Sequence, residues 1–303
     1  MADVLKNHLE AGNRGRVVLL GYPYDEGVAR VGGRTGARRG PDRFRAWFRR
    51  YGSVDNPQLN LSLASVPVTD AGDLPAGLPL EKAHETLKDT VSEILQHGGR
   101  PFVVGGGNDQ SYPNASALLS RWGEGRVGVV NIDAHLDVRP KIEGRVHSGS
   151  PFRLLLEDGR FSGRHFVEFA CQGAQCSAGH ARFVQERGGE ILWLDSAGRG
   201  DALVDRFQET LDRLAGDVPA LFVSFDLDAV RAAEAPGVSC PGVLGLTAAE
   251  ALRLAFAAGA HPAVRLFDLS EYNPEIEDER TGRLAVALFY HFCLGLARQE
   301  AAS

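Results

Sequence analysis

The chain has 303 residues, 44% of them hydrophobic and 24% charged, with a formal charge of -6 and a pI near 5.9. That length and composition suit a globular enzyme with a sizeable core, and the acidic balance speaks against a nucleic-acid binder. The polar start, Met1 to Arg16, lacks the apolar run of a secretory signal, no segment is apolar for long enough to span a membrane, and the 4 cysteines make no disulfide framework, so a reducing cytoplasm is expected.

Residues 1–15 are expected to form a loosely ordered N-terminal segment. The apolar or β-branched runs 17–21, 101–104, 127–132, 165–170, 190–194, 221–225 and 264–269 then read as strands. Several are apolar almost throughout, as in a parallel sheet covered on both faces. Between them 80–95, 201–214 and 247–258 read as helices, the last opening on a Thr247-x-x-Glu250 capping box. Strand and helix alternate, which predicts an α/β fold. With no repeat, low-complexity tract or long linker, residues 1–303 read as a single domain. The Gly/Arg-rich segment 27–41 is a loop beyond the first strand's carboxyl end, where open α/β sheets place binding loops.

The densest polar signal is Asp133-Ala134-His135-Leu136-Asp137, directly after the run 127–132. In an extended segment alternate side chains share a face, so Asp133, His135 and Asp137 converge while Ala134 and Leu136 point away. Two carboxylates and an imidazole suit Mn²⁺ or Zn²⁺ rather than a thiolate-bound metal; a charged strand end with a satisfied histidine is the plainer alternative. Phe225-Asp226-Leu227-Asp228 ends another apolar run in the same way. Carboxylates gathered at one sheet rim repel unless cations neutralise them, although Asp226 or Asp228 singly could cap a helix. Gly105-Gly106-Gly107-Asn108-Asp109 also follows a strand, where glycine lets the backbone approach a ligand closely. No Lys-Ser/Thr follows it, which excludes a P-loop. Asp109 reads equally as an acceptor beside a metal and as a loop cap.

The glycine loop, the two acidic strand ends and Ala235-Pro236-Gly237-Val238-Ser239, in this order, resemble the ureohydrolase superfamily of arginases, agmatinases and formimidoylglutamases over residues 17–294. The resemblance implies a three-layer α/β/α domain, a mainly parallel eight-stranded sheet and two Mn²⁺ per subunit at its C-terminal edge. It implies one ion on Asp133, Asp137, Asp228 and the glycine loop, and a second on His135, Asp133, Asp226 and Asp228. It further implies that Asp137 steadies the attacking water, that His147 shuttles a proton, and that Glu271 pairs with an amidinium or guanidinium. Most members carry histidine in the glycine loop where this chain has Asn108. The stretch 105–114, GGGNDQSYPN, resembles a formimidoylglutamase-like branch, so Asn108 is expected as the ligand there, though an amide is a weaker donor than imidazole.

Arg139 stands two positions beyond Asp137, where arginases carry a neutral side chain. A guanidinium there suits a substrate with carboxylates and no ammonium group. Arg34, and less so Arg30, would meet a second carboxylate, a solvated loop charge being the plainer reading of each. The expected enzyme hydrolyses C–N bonds of linear amidines, turning N-formimidoyl-L-glutamate into L-glutamate and formamide in histidine breakdown. An agmatinase or guanidinobutyrase is the alternative within the class; a catalytically silent amidine-binding scaffold or sensor is the alternative outside it. The resemblance also implies a homo-oligomer, trimer or hexamer, with a small-molecule substrate and neither nucleic acid nor membrane as partner. The apolar stretch 284–297 reads as core or as interface, and Cys240 is the thiol nearest a motif.

Overall fold

Strands of the computed structural model, which describes residues 5–302, are β1 Leu9–Ala11, β2 Val17–Tyr22, β3 Val68–Asp73, β4 Arg100–Gly105, β5 Val127–Ile132, β6 Phe166–Cys171, β7 Glu190–Trp193, β8 Ala220–Asp226 and β9 Val264–Ser270. They form a nine-stranded sheet in the order β1-β3-β2-β4-β9-β8-β5-β6-β7, every pairing parallel. A small antiparallel ribbon, Asp55–Asn56 with Leu61–Ser62, lies apart.

Why the strands read as unbroken apolar runs is visible in their parity. Val17, Leu19, Phe102, Val130 and Phe225 enter one apolar layer, while Val18, Leu20, Val103, Val129 and Phe222 enter the other. Successive side chains leave a strand on opposite faces, so a sheet covered on both sides needs apolar residues at every position. Helices Gly40–Phe48, Asp201–Asp217, Ala248–Ala260 and Glu279–Ala302 cover the first layer; Leu80–Gln96 and Ser111–Trp122 cover the second. The stretch 284–297 is core: Phe289 packs edge-on against Phe102 at 4.9 Å and Phe292 lies 5.2 Å from Phe267. The capping box forms, with Glu250 N donating to Thr247 Oγ1 at 3.1 Å and Thr247 N to Glu250 Oε2 at 2.8 Å.

Two strands escape the sequence pattern. β3 reads Val-Thr-Asp-Ala-Gly-Asp and is only part-buried, so apolar periodicity does not announce it. β1 makes the sheet nine-stranded where the resemblance implies eight, and it comes from the segment expected to be loosely ordered. The first four residues of that segment lie outside the described residues. Leu5–His8 is a 3-10 turn, and Leu9–Ala11 pairs with Val68, Thr69 and Asp70. An open strand edge offers unpaired backbone groups, and pairing with them holds this segment in place.

Chain order and sheet order differ in a way that matters for chemistry. β4, β9, β8 and β5 are consecutive neighbours at the centre of the sheet. Their carboxyl ends therefore release four loops along one short stretch of the same edge.

Candidate metal centre

These four ends carry the polar motifs. β5 stops one residue before Asp133, and β8 ends on Asp226; Ile132 and Phe225 are register partners, as are Asp226 and Ser270, the residue before Glu271. The segment 133–137 is not the extended run that alternation required. It bends at Ala134 and His135, and Asp137 adopts a left-handed backbone with φ 43°. The turn is held by Asp133 itself, whose Oδ1 accepts from His135 N at 2.6 Å. Asp226 does the same for its own loop, accepting from Asp228 N at 2.9 Å and capping the 3-10 turn Leu227–Ala229. The three side chains of the first motif thus converge through a turn, while Leu136 still packs into the second apolar layer.

Two sets of ligand atoms result. Asp133, His135 and Asp228 form one, and Asp133, Asp137 and Asp226 form the other, with the atoms of each set within 4.8 Å of one another. Asp133 is common to both. Between them the two sets bring together Asp133, His135, Asp137, Asp226 and Asp228, and Asp228 Oδ2 lies 3.0 Å from His135 Nδ1. Asn108 sits against the second set. Its Nδ2 donates to Asp137 Oδ2 at 2.8 Å and to Asp133 Oδ2 at 3.4 Å, while Oδ1 accepts from the Ser111 and Ser270 hydroxyls at 2.8 and 3.2 Å.

The electrostatics favour a cation. Burial, reinforced by neighbouring carboxylates, raises Asp137 and Asp226 well above the usual carboxylate range, and burial pushes Asp228 up to about 6. Burial acts on Asp133 too, yet the hydrogen bond and charge of His135 hold it low, and His135 itself is raised by Asp228. Asp228 Oδ1 is buried without a hydrogen-bond partner. A set rich in carboxylate oxygens with one imidazole, repelling itself in a buried place, fits divalent ions such as Mn²⁺.

Glu271 stands beside this floor. It too is left-handed, with φ 66°; its N donates to Gly106 O at 2.8 Å, and its Oε1 accepts from Asn108 N at 3.3 Å. Burial pushes its carboxyl up to about 8, with the Ser239 side chain partly offsetting this, and Oε2 makes no hydrogen bond of ordinary geometry. The glycine loop is clamped from the other side, since Gly106 N donates to Tyr22 O and a Cβ on Gly106 would lie 1.8 Å from Tyr24 O. Only glycine permits that approach. Asp109 is neither loop cap nor member of either set: its Oδ2 accepts from Tyr22 Oη at 2.6 Å and lies 2.8 Å from His84 Nε2, a buried anchor for the loop.

Above the floor is a cavity of about 450 Å³ whose lining includes His135, Asp137, Asp226, Asp228, Glu271, Arg139, Cys176, His180 and Cys240. Arg139 is exposed there, and among the described residues its guanidinium has no ion-pair or hydrogen-bond partner. Arg34, expected to meet a substrate carboxylate, is instead tied to backbone, donating to Ser239 O at 3.0 Å and Val238 O at 2.9 Å, and does not line the cavity. Arg30 is ion-paired with Glu26 at 2.6 Å and Glu81 at 2.7 Å. His147 is buried with Nε2 2.9 Å from Pro140 O; burial lowers its pKa, and only its neighbours Ser148 and Gly149 reach the cavity.

Sequence reasoning missed two residues. Glu168 is buried in β6 and joined to Asp133 through Asn131, whose Nδ2 donates to both at 2.8 and 3.3 Å. A lone glutamate in an otherwise apolar strand was the available signal. His180 carries none, lying on the helix Ala178–Glu186 outside any motif. All four cysteines are free thiols, Cys240 exposed at the cavity. Among the described residues no helix is long and apolar enough to cross a membrane.

The family signature that matches this chain, over residues 15–295, is that of the arginase family. The chain is 32% identical over 288 residues to the formimidoylglutamase of Citrobacter koseri, spanning 93% of this chain and 86% of that one. It is likewise 32% identical over 302 residues to the formimidoylglutamase of Ralstonia nicotianae, spanning 95% and 87%. Among solved structures, Trypanosoma cruzi formiminoglutamase with Mn²⁺₂ aligns with a TM-score of 0.91 at 46% identity, over 98% of this chain and 99% of that one.

Proposed function

We propose that this chain, which belongs to the arginase family, is a binuclear manganese formimidoylglutamase that hydrolyses N-formimidoyl-L-glutamate to L-glutamate and formamide. One observation carries the reading: a single cavity joins a floor of buried carboxylates, including Glu271, to the guanidinium of Arg139 on the wall, which has no partner among the described residues. An amidine attached to a carboxylate-bearing skeleton matches both ends. Agmatine, which carries a distal ammonium, would face Arg139 and be repelled.

Asp133, His135, Asp137, Asp226 and Asp228 would hold the two cations, with Asn108 against Asp133 and Asp137. When bound, the pair supplies Lewis acidity that makes water nucleophilic near neutral pH. Asp137 accepts the proton that the attacking water loses. Glu271 accepts hydrogen bonds from the amidinium N–H groups and so orients its trigonal carbon towards the floor. Arg139 binds a substrate carboxylate in bidentate fashion. Water oxygen adds to the carbon, the bond to the glutamate nitrogen breaks, and His147, once its ring exchanges the Pro140 carbonyl for the cavity, passes the proton taken up by Asp137 to that nitrogen. Arg34 steadies the wall through the 238–239 carbonyls rather than touching substrate. The whole chain acts as one catalytic domain in a cytoplasmic homo-oligomer, trimer or hexamer.

Formamide release from N-formimidoyl-L-glutamate by metal-stripped protein, with and without added Mn²⁺ and beside arginine and agmatine, tests this. Manganese-dependent release confined to the formimidoyl compound is expected. Faster turnover of agmatine would overturn the substrate, and silence on all three would leave a non-catalytic scaffold.

A further inference from the structure

A dicarboxylate needs two anchors, and Arg34 is occupied by backbone carbonyls. The wall holds another basic group. His180, on the helix Ala178–Glu186, lines the same cavity as Arg139, and among the described residues its ring nitrogens have no hydrogen-bond partner. Its backbone is fixed, because His180 N donates to the Ser177 hydroxyl at 3.1 Å at the start of the helix. Burial, and then the guanidinium groups of Arg139 and Arg153, lower its pKa, so the ring offers a neutral N–H rather than a second positive charge. Arg139 comes from another segment, the loop after Asp137. Its N donates to Gly149 O at 2.8 Å, and its stem crosses the bare face of Gly149, where a Cβ would lie 2.8 Å from Arg139 Cδ.

Position along the chain separates the two anchors. Arg139 is two residues from Asp137 and belongs to the loop that carries the floor, whereas His180 stands on the helix Ala178–Glu186, four residues beyond Cys176, whose Sγ donates to Ala134 O at 3.5 Å. We propose that His180 is a specificity-determining residue, whose ring N–H binds the distal carboxylate of the substrate while Arg139 takes the carboxylate next to the reacting amidine. This rests on the formimidoylglutamase reading, and it assigns the distal group to a residue that no motif in the sequence marks.

The test uses the manganese-loaded protein and His180→Ala, with calorimetric binding of the product L-glutamate beside L-2-aminobutyrate, which keeps the inner carboxylate and lacks the distal one. A lost hydrogen bond to a charged group should raise the Kd for L-glutamate about tenfold and leave that for L-2-aminobutyrate unchanged. KM for N-formimidoyl-L-glutamate should rise in parallel with kcat within about twofold, since the residue binds without touching the reacting carbon. His180→Gln, which restores an N–H donor, should recover part of the affinity. Unchanged L-glutamate affinity, or equal loss for both ligands, would overturn the assignment. His180-dependent L-glutamate binding without turnover by the native protein would uphold it and sink the formimidoylglutamase reading instead.

Discussion

The floor and the wall of the cavity are built differently. At the floor, side chains are held from several directions: Asn108 alone bonds to Asp133, Asp137, Ser111 and Ser270. On the wall, the functional groups of Arg139 and His180 project from a loop and a short helix without side-chain partners among the described residues. The floor uses the ends of four adjacent strands, where backbone registration fixes positions closely. In the proposed reading, the groups that would hold ions sit on this frame, and those that would bind the substrate sit on elements whose change leaves the frame intact.

That contrast predicts a graded series. Asp133→Ala, which removes the ligand common to both sets, should lower kcat by about a thousandfold or more and leave fewer than two Mn²⁺ per chain by elemental analysis. Full metal content in that variant would break the comparison at once. Asn108→Ala should weaken Mn²⁺ binding by about ten- to a hundredfold in a metal titration, as expected for a group that orients ligands. The floor should also be sensitive to acid. Burial raises Asp137, Asp226 and Asp228 above the usual carboxylate range in the metal-free site, so protons compete with the ions for the same oxygens; Mn²⁺ affinity should fall as the pH is lowered, with proton release on metal uptake, by calorimetric titration at several pH values. Wall variants should spare the metal. Arg139→Ala should keep both ions while raising KM for the formimidoyl substrate about tenfold and easing binding of agmatine, by steady-state kinetics. Gly149→Ala, which only displaces the Arg139 stem, should raise that KM by about two- to threefold.

The same division explains what could be read from the sequence. Asp133, His135, Asp137, Asp226 and Asp228 were legible because acids directly after apolar runs are conspicuous. The turns that bring them together, at 134–135 and 227–229, were not, since an extended alternation was expected there. Arg34 and Arg139 look alike in sequence, both basic residues in loops. Only the fold shows that the Val238 and Ser239 carbonyls accept from one, while among the described residues the guanidinium of the other has no hydrogen-bond partner. Strands β2 and β4 to β9 were legible from apolar content. β3 was not, because a part-buried strand near the sheet edge tolerates Thr, Asp and Gly at positions the centre fills with Val and Phe.

The placement of β9 and β8 between β4 and β5 also bears on how the molecule comes into being. As the chain emerges from a ribosome, the glycine loop and the first acidic motif appear early, yet β4 and β5 are not sheet neighbours and cannot be brought to their final spacing. Residues 220–270 must insert between them first. The ions can therefore find a complete site only after residues 220–270 have been made, so that metal loading follows late synthesis rather than guiding its early stages.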